Sequence, residues 1–250
     1  MKSTFIQRAK AGLHPLGTLI TLPCPEIVEA LADIGFDWLW IDMEHGTLSL
    51  RDAQQMLVAV RGKAHGLVRA PTCDPIWIRQ VLDIGADGVI VPLVRSAAQA
   101  AEAIQAGKYP PEGTRSAGIA RANSFGLNFQ PYVSAANSKT AIIIQVEHID
   151  AVRDIEAILA IPGLDGILVG PYDLSGSMNL LGQLKHPEVS AAINRVLSAC
   201  KLRQIPIGIF AMTASEAKLL RESGYDFVAV GIDATMLLTS AREVLNQSRI

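Results

Sequence analysis

The sequence has few cysteines and no long uncharged apolar segment. Cys24, Cys73 and Cys200 are far apart and form no CxxC pair, which argues against a disulfide framework and favours a reducing compartment. No window reaches the roughly 18 uncharged apolar residues that a membrane span needs, and the N-terminus lacks the apolar segment of a signal peptide. We therefore expect a cytoplasmic protein without a membrane partner.

An excess of charge of either sign is also lacking. The chain has 22 Lys or Arg against 24 Asp or Glu, a formal net charge of −2. This balance argues against a nucleic-acid partner and favours a small-molecule substrate. With 50% hydrophobic and 18% charged residues, the composition is typical of a globular protein with a well-buried core.

What the sequence does contain is a repeated alternation of strand and helix patterns. The strand patterns are continuously apolar, as expected of parallel strands buried on both faces, and helical periodicity follows each one. The predicted strands are residues 17–22, 38–43, 66–70, 88–94, 141–146, 166–169, 206–210 and 227–230. The predicted helices are residues 25–34, 49–61, 75–84, 97–106, 150–159, 187–204, 213–223 and 234–246.

Glycines in the phrases ADIGFD, LDIGADG and RESGYDF indicate left-handed helix ends that turn the chain into the next strand. The repeats predict an α/β protein, a single (β/α)8 TIM-barrel domain over residues 1–250. An open doubly wound sheet remains an alternative, although no GxGxxG fingerprint follows the first strand. The one long loop, residues 108–132, carries Arg115 and Arg121 and is expected to select the substrate, since long loops in barrels are usually functional.

Polar residues occur where four predicted strands end, which is the end of a barrel that carries active sites. They are Asp42, Glu44 and His45; Arg69; Gln145, Glu147 and His148; and Asp173. Glu147 and Asp173 end consecutive strands, so a barrel places them side by side, where two carboxylates suit Mg²⁺ or Mn²⁺. The alternative is that each carboxylate caps a helix or pairs with a nearby cation.

Arg69 is interpreted as an anchor for a substrate oxyanion, because arginine has a permanent charge and forked donors. A structural salt bridge to Glu147 or Asp173 is the alternative. His45 stands three residues after Asp42, a spacing that would let the carboxylate orient the imidazole as a general base. A simple hydrogen-bonded structural role remains open for His45, and Glu44 and His148 are possible substitutes.

In order along the chain, the motifs WLWIDMEHG, LVRAP, VLDIGADGVIVPLV, KYPPEGTRSAG, IIIQVEH, LDGILVGPYDLS and FVAVGID resemble the class II pyruvate aldolases of the HpcH/HpaI family. The resemblance covers almost the whole chain. It implies metal-dependent cleavage of a 4-hydroxy-2-oxo acid into pyruvate and an aldehyde. Glu147 and Asp173 would hold a divalent metal (Mg, Mn or Co), Arg69 would stabilise the enolate oxygen, and Gln145 would support the metal ligands. His45, oriented by Asp42, would move the proton of the 4-hydroxyl group.

The resemblance also implies a homo-oligomer, a hexamer built as a trimer of dimers, in which the last helix is exchanged and Asp83 approaches a neighbouring site. Tyr172, expected to bind substrate, and Leu19 depart from the family pattern in the aldehyde pocket, so the resemblance does not name the aldehyde. Oxaloacetate decarboxylation or an acyl-CoA lyase activity would use the same enolate. A non-catalytic barrel is the alternative from a different class.

Overall fold

The computed structural model describes residues 3–249, in which eight parallel strands close into a barrel in sequence order. The strands are β1 (Leu16–Ile20), β2 (Trp38–Asp42), β3 (His65–Arg69), β4 (Gly88–Val91), β5 (Ala141–Val146), β6 (Gly166–Val169), β7 (Ile207–Ala211) and β8 (Phe227–Ile232). Because β1 pairs with β8 as well as with β2, the sheet has no free edge. The predicted barrel is confirmed and the open sheet is excluded.

Helices lie between the strands. They are α1 (Phe5–Lys10), α2 (Pro25–Ile34), α3 (Leu50–Ala59), α4 (Pro75–Asp83), α5 (Ala97–Gly107), α6 (Phe129–Lys139), α7 (Ile149–Arg153), α8 (Ile155–Ile158), α9 (Pro171–Ser177), α10 (Pro187–Arg203), α11 (Ala214–Glu222) and α12 (Asp233–Ser248). A 3-10 helix spans Arg121–Gly126.

Three helices lie outside the predicted set. α1, α6 and α9 are short or weakly amphipathic, so their periodicity does not stand out from the surrounding loops. The predicted helix over residues 150–159 is two helices, α7 and α8, that meet at Asp154. The glycine corners are confirmed, because Gly35, Gly85 and Gly224 all have left-handed backbone conformations, with φ of 111°, 87° and 101°.

Aromatic side chains fill the barrel, and two strand glycines make room for them. A Cβ on Gly17 would lie 2.5 Å from the Trp38 ring, and one on Gly208 would lie 2.0 Å from the Phe227 ring. Phe5 of α1 closes the amino end of the barrel, with its ring centre 5.4 Å from that of Trp38 and 5.1 Å from that of Phe227. The interior is therefore packed with aromatic rings at the amino end of the barrel.

An aspartate clamp recurs four times around the amino end of the barrel. In each clamp, an aspartate just before an even-numbered strand accepts the first or second backbone N–H of the preceding odd-numbered strand, and a basic side chain approaches the same carboxylate. The pairs are Leu16 with Asp37, Gly66 with Asp87, Ile142 with Asp165 and Ile207 with Asp226. The basic partners are Arg8, His65, Lys108 and Lys201. These clamps set the register at the amino end.

The last helix, α12, extends away from the barrel. Asp233 fixes its start by accepting N–H groups from Thr21 and Leu22, yet Leu237, Leu238 and Val244 are mostly exposed. Within residues 3–249, no helix has the length and apolar character that crossing a membrane requires.

Candidate active site

Arg69 is the centre of the polar cluster at the carboxyl end of the barrel. Its Nε donates to Asp42 Oδ1 at 2.8 Å and its Nη2 donates to Asp42 Oδ2 at 2.7 Å. Nη1 approaches Glu44 Oε2 at 2.9 Å, but without hydrogen-bond alignment, so that buried oxygen accepts no hydrogen bond from residues 3–249. Arg69 therefore forms its salt bridges with Asp42 and Glu44, in place of the predicted alternative, a bridge to Glu147 or Asp173.

His45 is placed differently from the expectation that Asp42 orients its imidazole. The Asp42 carboxylate is bound to Arg69 and accepts the backbone N–H groups of Glu44 and His45 at 3.0 and 3.4 Å. The side chain of His45 is 67% exposed, and its Nε2 lies 3.8 Å from Glu44 Oε2. The carboxylate that the His45 imidazole approaches is therefore that of Glu44.

Glu147 follows β5 directly and is buried. Its Oε1 accepts the backbone N–H of Leu93 at 2.6 Å, and its Oε2 accepts a hydrogen bond from Gln145 Nε2. The Leu93 backbone has a left-handed conformation, with φ of 61°, which turns its N–H toward the site. Gln145 Oε1 is buried without a hydrogen-bond partner in the described chain, so one acceptor remains unused beside Glu147.

Asp173 lies in the first turn of α9, directly after β6 and next to β5 in the barrel. Together with Glu44, His45 and Glu147 it lines a cavity of about 340 Å³. Gly170 leaves room for this arrangement, because a Cβ there would lie 3.0 Å from Glu147 Cβ and 3.2 Å from Gln145 Nε2. The predicted pair Glu147 and Asp173 thus shares one cavity at the mouth of the barrel.

Three carboxylates, those of Glu44, Glu147 and Asp173, line the cavity together with Arg95. Burial raises the pKa of Glu44 to about 7 against the opposing effect of Arg69. Burial also raises the pKa of Glu147 to about 7, with a further contribution from the Glu44 and Asp173 carboxylates. The pKa of Arg69 lies above its usual value, because the lowering effect of burial is outweighed by Asp42 and Glu44. Glu44, Glu147 and Asp173 therefore form an acidic group with one buried guanidinium beside it.

Comparison with known proteins decides the family. Residues 18–240 match the model of the HpcH/HpaI aldolase/citrate lyase family. The chain belongs to this family. The membership confirms the resemblance seen in the sequence motifs.

The chain is 38% identical to a 2-dehydro-3,6-dideoxy-6-sulfogluconate aldolase of Pseudomonas putida, with 92% of this chain and 91% of that protein covered. It is 35% identical to a hydroxypyruvate/pyruvate aldolase of Roseovarius nubinhibens, with 99% and 97% covered. A solved HpcH/HpaI family structure from Burkholderia cenocepacia is 37% identical, covers 98% of both chains and superposes with a TM-score of 0.93. The HpcH/HpaI match thus extends over the whole barrel.

The residues present fit a divalent metal as an HpcH/HpaI aldolase would use it. Residues 3–249 contain no cluster of three or more His, Cys, Asp or Glu side chains arranged to hold a metal. Glu147 and Asp173 are the two carboxylates that the sequence predicts as ligands. Mg²⁺ is commonly bound by one or two carboxylates, with water and substrate completing its ligands. The unused Gln145 Oε1 and the carboxylates of Glu147 and Asp173 in one cavity fit a cation at this place.

Tyr172 is adjacent to Asp173 but faces another space. It lines a groove of about 630 Å³ with Pro171, Phe210 and Met212, and its side chain does not line the smaller cavity that contains Glu147. Tyr172 therefore lies in the apolar groove beside the acidic cavity, and its contact with substrate stays a prediction.

Asp83, Arg115 and Arg121 lie at the opposite end of the barrel from the acidic cavity. Helices in this fold begin above the carboxyl ends of strands, and α4 ends at Asp83. Arg115 is buried, with its Nη2 donating to Asp83 Oδ1 at 2.7 Å and its guanidinium carbon 4.6 Å from the Tyr109 ring centre. Arg121 Nη1 donates to the carbonyl of Ile84 at 2.8 Å.

This placement differs from the expectation that the two arginines bind substrate, because neither of them lines the acidic cavity. Arg115 Nη2 is bound by Asp83 and Arg121 Nη1 by the carbonyl of Ile84, while Arg115 Nε and Nη1 are buried without a partner in the described chain. Their role within the protomer is structural: they fasten the long loop to the end of α4. Asp83 could approach substrate only in another copy of the chain.

Asp83→Asn is expected to lower the free energy of unfolding by about 2 kcal/mol. Removing one partner of a buried ion pair typically costs about 3–5 kcal/mol, and we reduce that value because the Asp83 side chain is 32% exposed. Urea denaturation measures the change. The matched control is Asp150→Asn, which breaks an exposed pair with Arg153 and should cost at most about 0.5 kcal/mol. Equal losses in the two variants would contradict the structural role of Asp83.

Two residues of the site have no clear signal in the sequence. Glu44 is predicted only as a possible substitute in the general-base pair, because spacing along the chain does not show that Arg69 approaches it. Leu93 acts through its backbone, and no side-chain pattern reveals the left-handed conformation that presents its N–H to Glu147.

Proposed function

We propose that the chain is a divalent-metal-dependent pyruvate aldolase that reversibly cleaves a 4-hydroxy-2-oxo acid into pyruvate and an aldehyde. Its aldolase relatives, at 35–38% identity over nearly the full length, support this class of reaction. The observation that carries the proposal is the single cavity lined by Glu44, His45, Glu147 and Asp173, with Arg69 in contact with Glu44 at its edge.

Glu147 and Asp173 would hold the metal (Mg, Mn or Co), with Gln145 supporting Glu147 through its amide. The metal would act as a Lewis acid toward the 2-oxo group of the substrate. Hydrogen bonds from neighbouring groups usually fix the orientation of carboxylates that bind a metal. Leu93 and Gln145 thus determine which way the Glu147 oxygens face.

Arg69 would stabilise the negative charge that carbon–carbon cleavage leaves on the pyruvate fragment. A guanidinium has five N–H groups, and Asp42 accepts hydrogen bonds from two of them. The N–H groups on the Glu44 side remain for a substrate oxygen. A preorganised donor of this kind stabilises developing charge without reorganisation during the reaction.

His45 would accept the proton of the 4-hydroxyl group as the carbon–carbon bond breaks and return it in the reverse addition. Its exposure suits contact with the aldehyde half of the substrate, and Glu44 is the adjacent carboxylate. The covalent lysine route is not supported, because none of the lysines in residues 3–249 lies at the carboxyl end of a strand.

We further propose that residues 1–250 form a single domain that assembles as a homo-oligomer, a hexamer of three dimers. The exposed apolar residues of α12 support its packing on a neighbouring copy, and the distance of Asp83 from its own site supports a role in another copy's site. The three free cysteines are consistent with a reducing, cytoplasmic location.

The testing experiment is deuterium exchange into the methyl group of pyruvate, followed by NMR. We expect no exchange by protein treated with EDTA, and rapid exchange once Mg²⁺ or Mn²⁺ is added, because enolate formation needs both the cation and Arg69. Metal added without protein is the control. Absence of exchange with every divalent metal tried would reject the aldolase proposal in favour of a non-catalytic barrel.

A further inference from the structure

The Arg69 guanidinium lies over the indole ring of Trp40. The guanidinium carbon is 4.9 Å from the ring centre, and Trp40 is 3% exposed. Trp40 stands two residues before Asp42 on β2, so both side chains point into the barrel. Asp42 thus accepts hydrogen bonds from two nitrogens of the guanidinium, while the ring face of Trp40 lies against its central carbon.

Trp40 stacks in turn on Trp38, with ring centres 6.3 Å apart and an angle of 16° between their planes. Phe210 contacts Trp40 edge-on, with ring centres 6.3 Å apart. The indole therefore has little freedom to tilt, and the guanidinium rests on a rigid surface within a column of rings.

The hydrogen bonding of the two tryptophans differs. Trp38 Nε1 donates to the carbonyl of Pro15 at 3.3 Å, whereas Trp40 Nε1 is buried without a partner in the described part of the chain. Leaving a buried donor unpaired costs about 1–3 kcal/mol. Phenylalanine would fill most of the same space without that cost, so packing alone does not explain an indole at position 40. What indole offers above phenyl is the strongest attraction of any side-chain ring for a cation.

We propose that Trp40 is a positioning residue that fixes the plane of the Arg69 guanidinium so that its free N–H groups face the developing enolate oxygen. The inference rests on the proposed function. A salt bridge to one carboxylate still permits rotation about the shared axis, and contact with a ring face opposes that rotation. Trp40 itself does not touch the substrate.

The test uses the whole protein grown with tryptophan or with 5-fluoro-, 5,7-difluoro- or 5,6,7-trifluorotryptophan. Fluorine weakens the attraction of the ring for a cation and changes its shape little. We expect kcat for metal-dependent pyruvate exchange to fall progressively, by about 10-fold over the series, as follows from a contact of about 1–2 kcal/mol. KM for pyruvate should stay within about 3-fold, because charge on the oxygen grows mainly in the transition state.

Trp40→Phe, grown on the same analogues, is the matched control. It retains Trp38 and Trp77, so it reports any effect of fluorine elsewhere and should show no trend. Trp40→Leu should lose about 10- to 30-fold in kcat, more than Trp40→Phe, since only phenylalanine keeps a ring face.

A flat series in active wild-type protein, or the same trend in Trp40→Phe, would overturn the role of Trp40. A progressive rise in KM with kcat unchanged would overturn it as well. These outcomes are distinct from failure of the proposed function, which would appear as absence of metal-dependent exchange in the unfluorinated wild-type protein.

Discussion

Arg69→Lys is expected to reduce metal-dependent exchange of pyruvate protons by about 10²–10³-fold, the usual effect of losing one preorganised oxyanion donor. Lysine keeps the positive charge but loses the planar fork that pairs with Asp42 through two nitrogens. The rate is measured by NMR at saturating pyruvate and metal. Arg69→Ala should abolish the exchange.

The free energy of unfolding of each variant distinguishes a loss of catalysis from a loss of the folded protein. Arg69→Ala leaves Asp42 and Glu44 buried without their cation, at a cost of about 3–5 kcal/mol, whereas Arg69→Lys retains a partner for both. Arg153→Lys, at an exposed pair on α7, is the matched control and should exchange at the wild-type rate. Exchange by folded Arg69→Lys at the wild-type rate would remove Arg69 from the chemistry.

Glu147→Gln is expected to weaken Mn²⁺ binding by at least about 100-fold. Replacing a residue that only supports a metal ligand already lowers metal affinity by about 10–100-fold. The amide oxygen can still accept the Leu93 N–H. A turn of the Gln145 amide brings its unused Oε1 to the new NH2 group, so the shape of the site is preserved while the charged ligand is lost. Binding is measured from the electron paramagnetic resonance of free Mn²⁺. Exchange activity should fall in parallel.

Glu156→Gln provides the comparison, because it makes the same chemical change at an exposed residue paired with Arg195. It should bind Mn²⁺ as the wild type does. Equal affinity of Glu147→Gln and the wild type would show that the metal is held elsewhere, and Asp173→Asn would then be needed to test the other carboxylate.

The barrel was predictable because its signals are local and repeated. Each continuously apolar segment indicates a buried strand, and glycine corners such as Gly35 mark the ends of helices. The end of the barrel at which Glu147 and Asp173 lie follows from the order of the strands alone. The spacing of these residues along the chain therefore predicts their shared cavity.

The pairing of side chains within the cavity was less predictable. Asp42 could reach His45 along the chain or Arg69 across the sheet, and the β2–β3 register, in which Asp42 lies beside Arg69, decides between them. The burial of Arg115 depends on tertiary contacts with Asp83 and the tyrosine rings. Periodicity along a sequence does not contain this information, because it is set by which loop folds over which helix end.

The four aspartate clamps divide the barrel into quarters. Each joins an odd strand to the even strand that follows it, as Asp37 does for β1 and β2, and none joins an even strand to the next odd one. Within residues 3–249, the four seams between β2 and β3, β4 and β5, β6 and β7, and β8 and β1 thus lack this bond. A barrel built in this way has natural places where the chain could be opened and rejoined, and each two-strand unit could be exchanged with its equivalent from a relative without cutting a clamp.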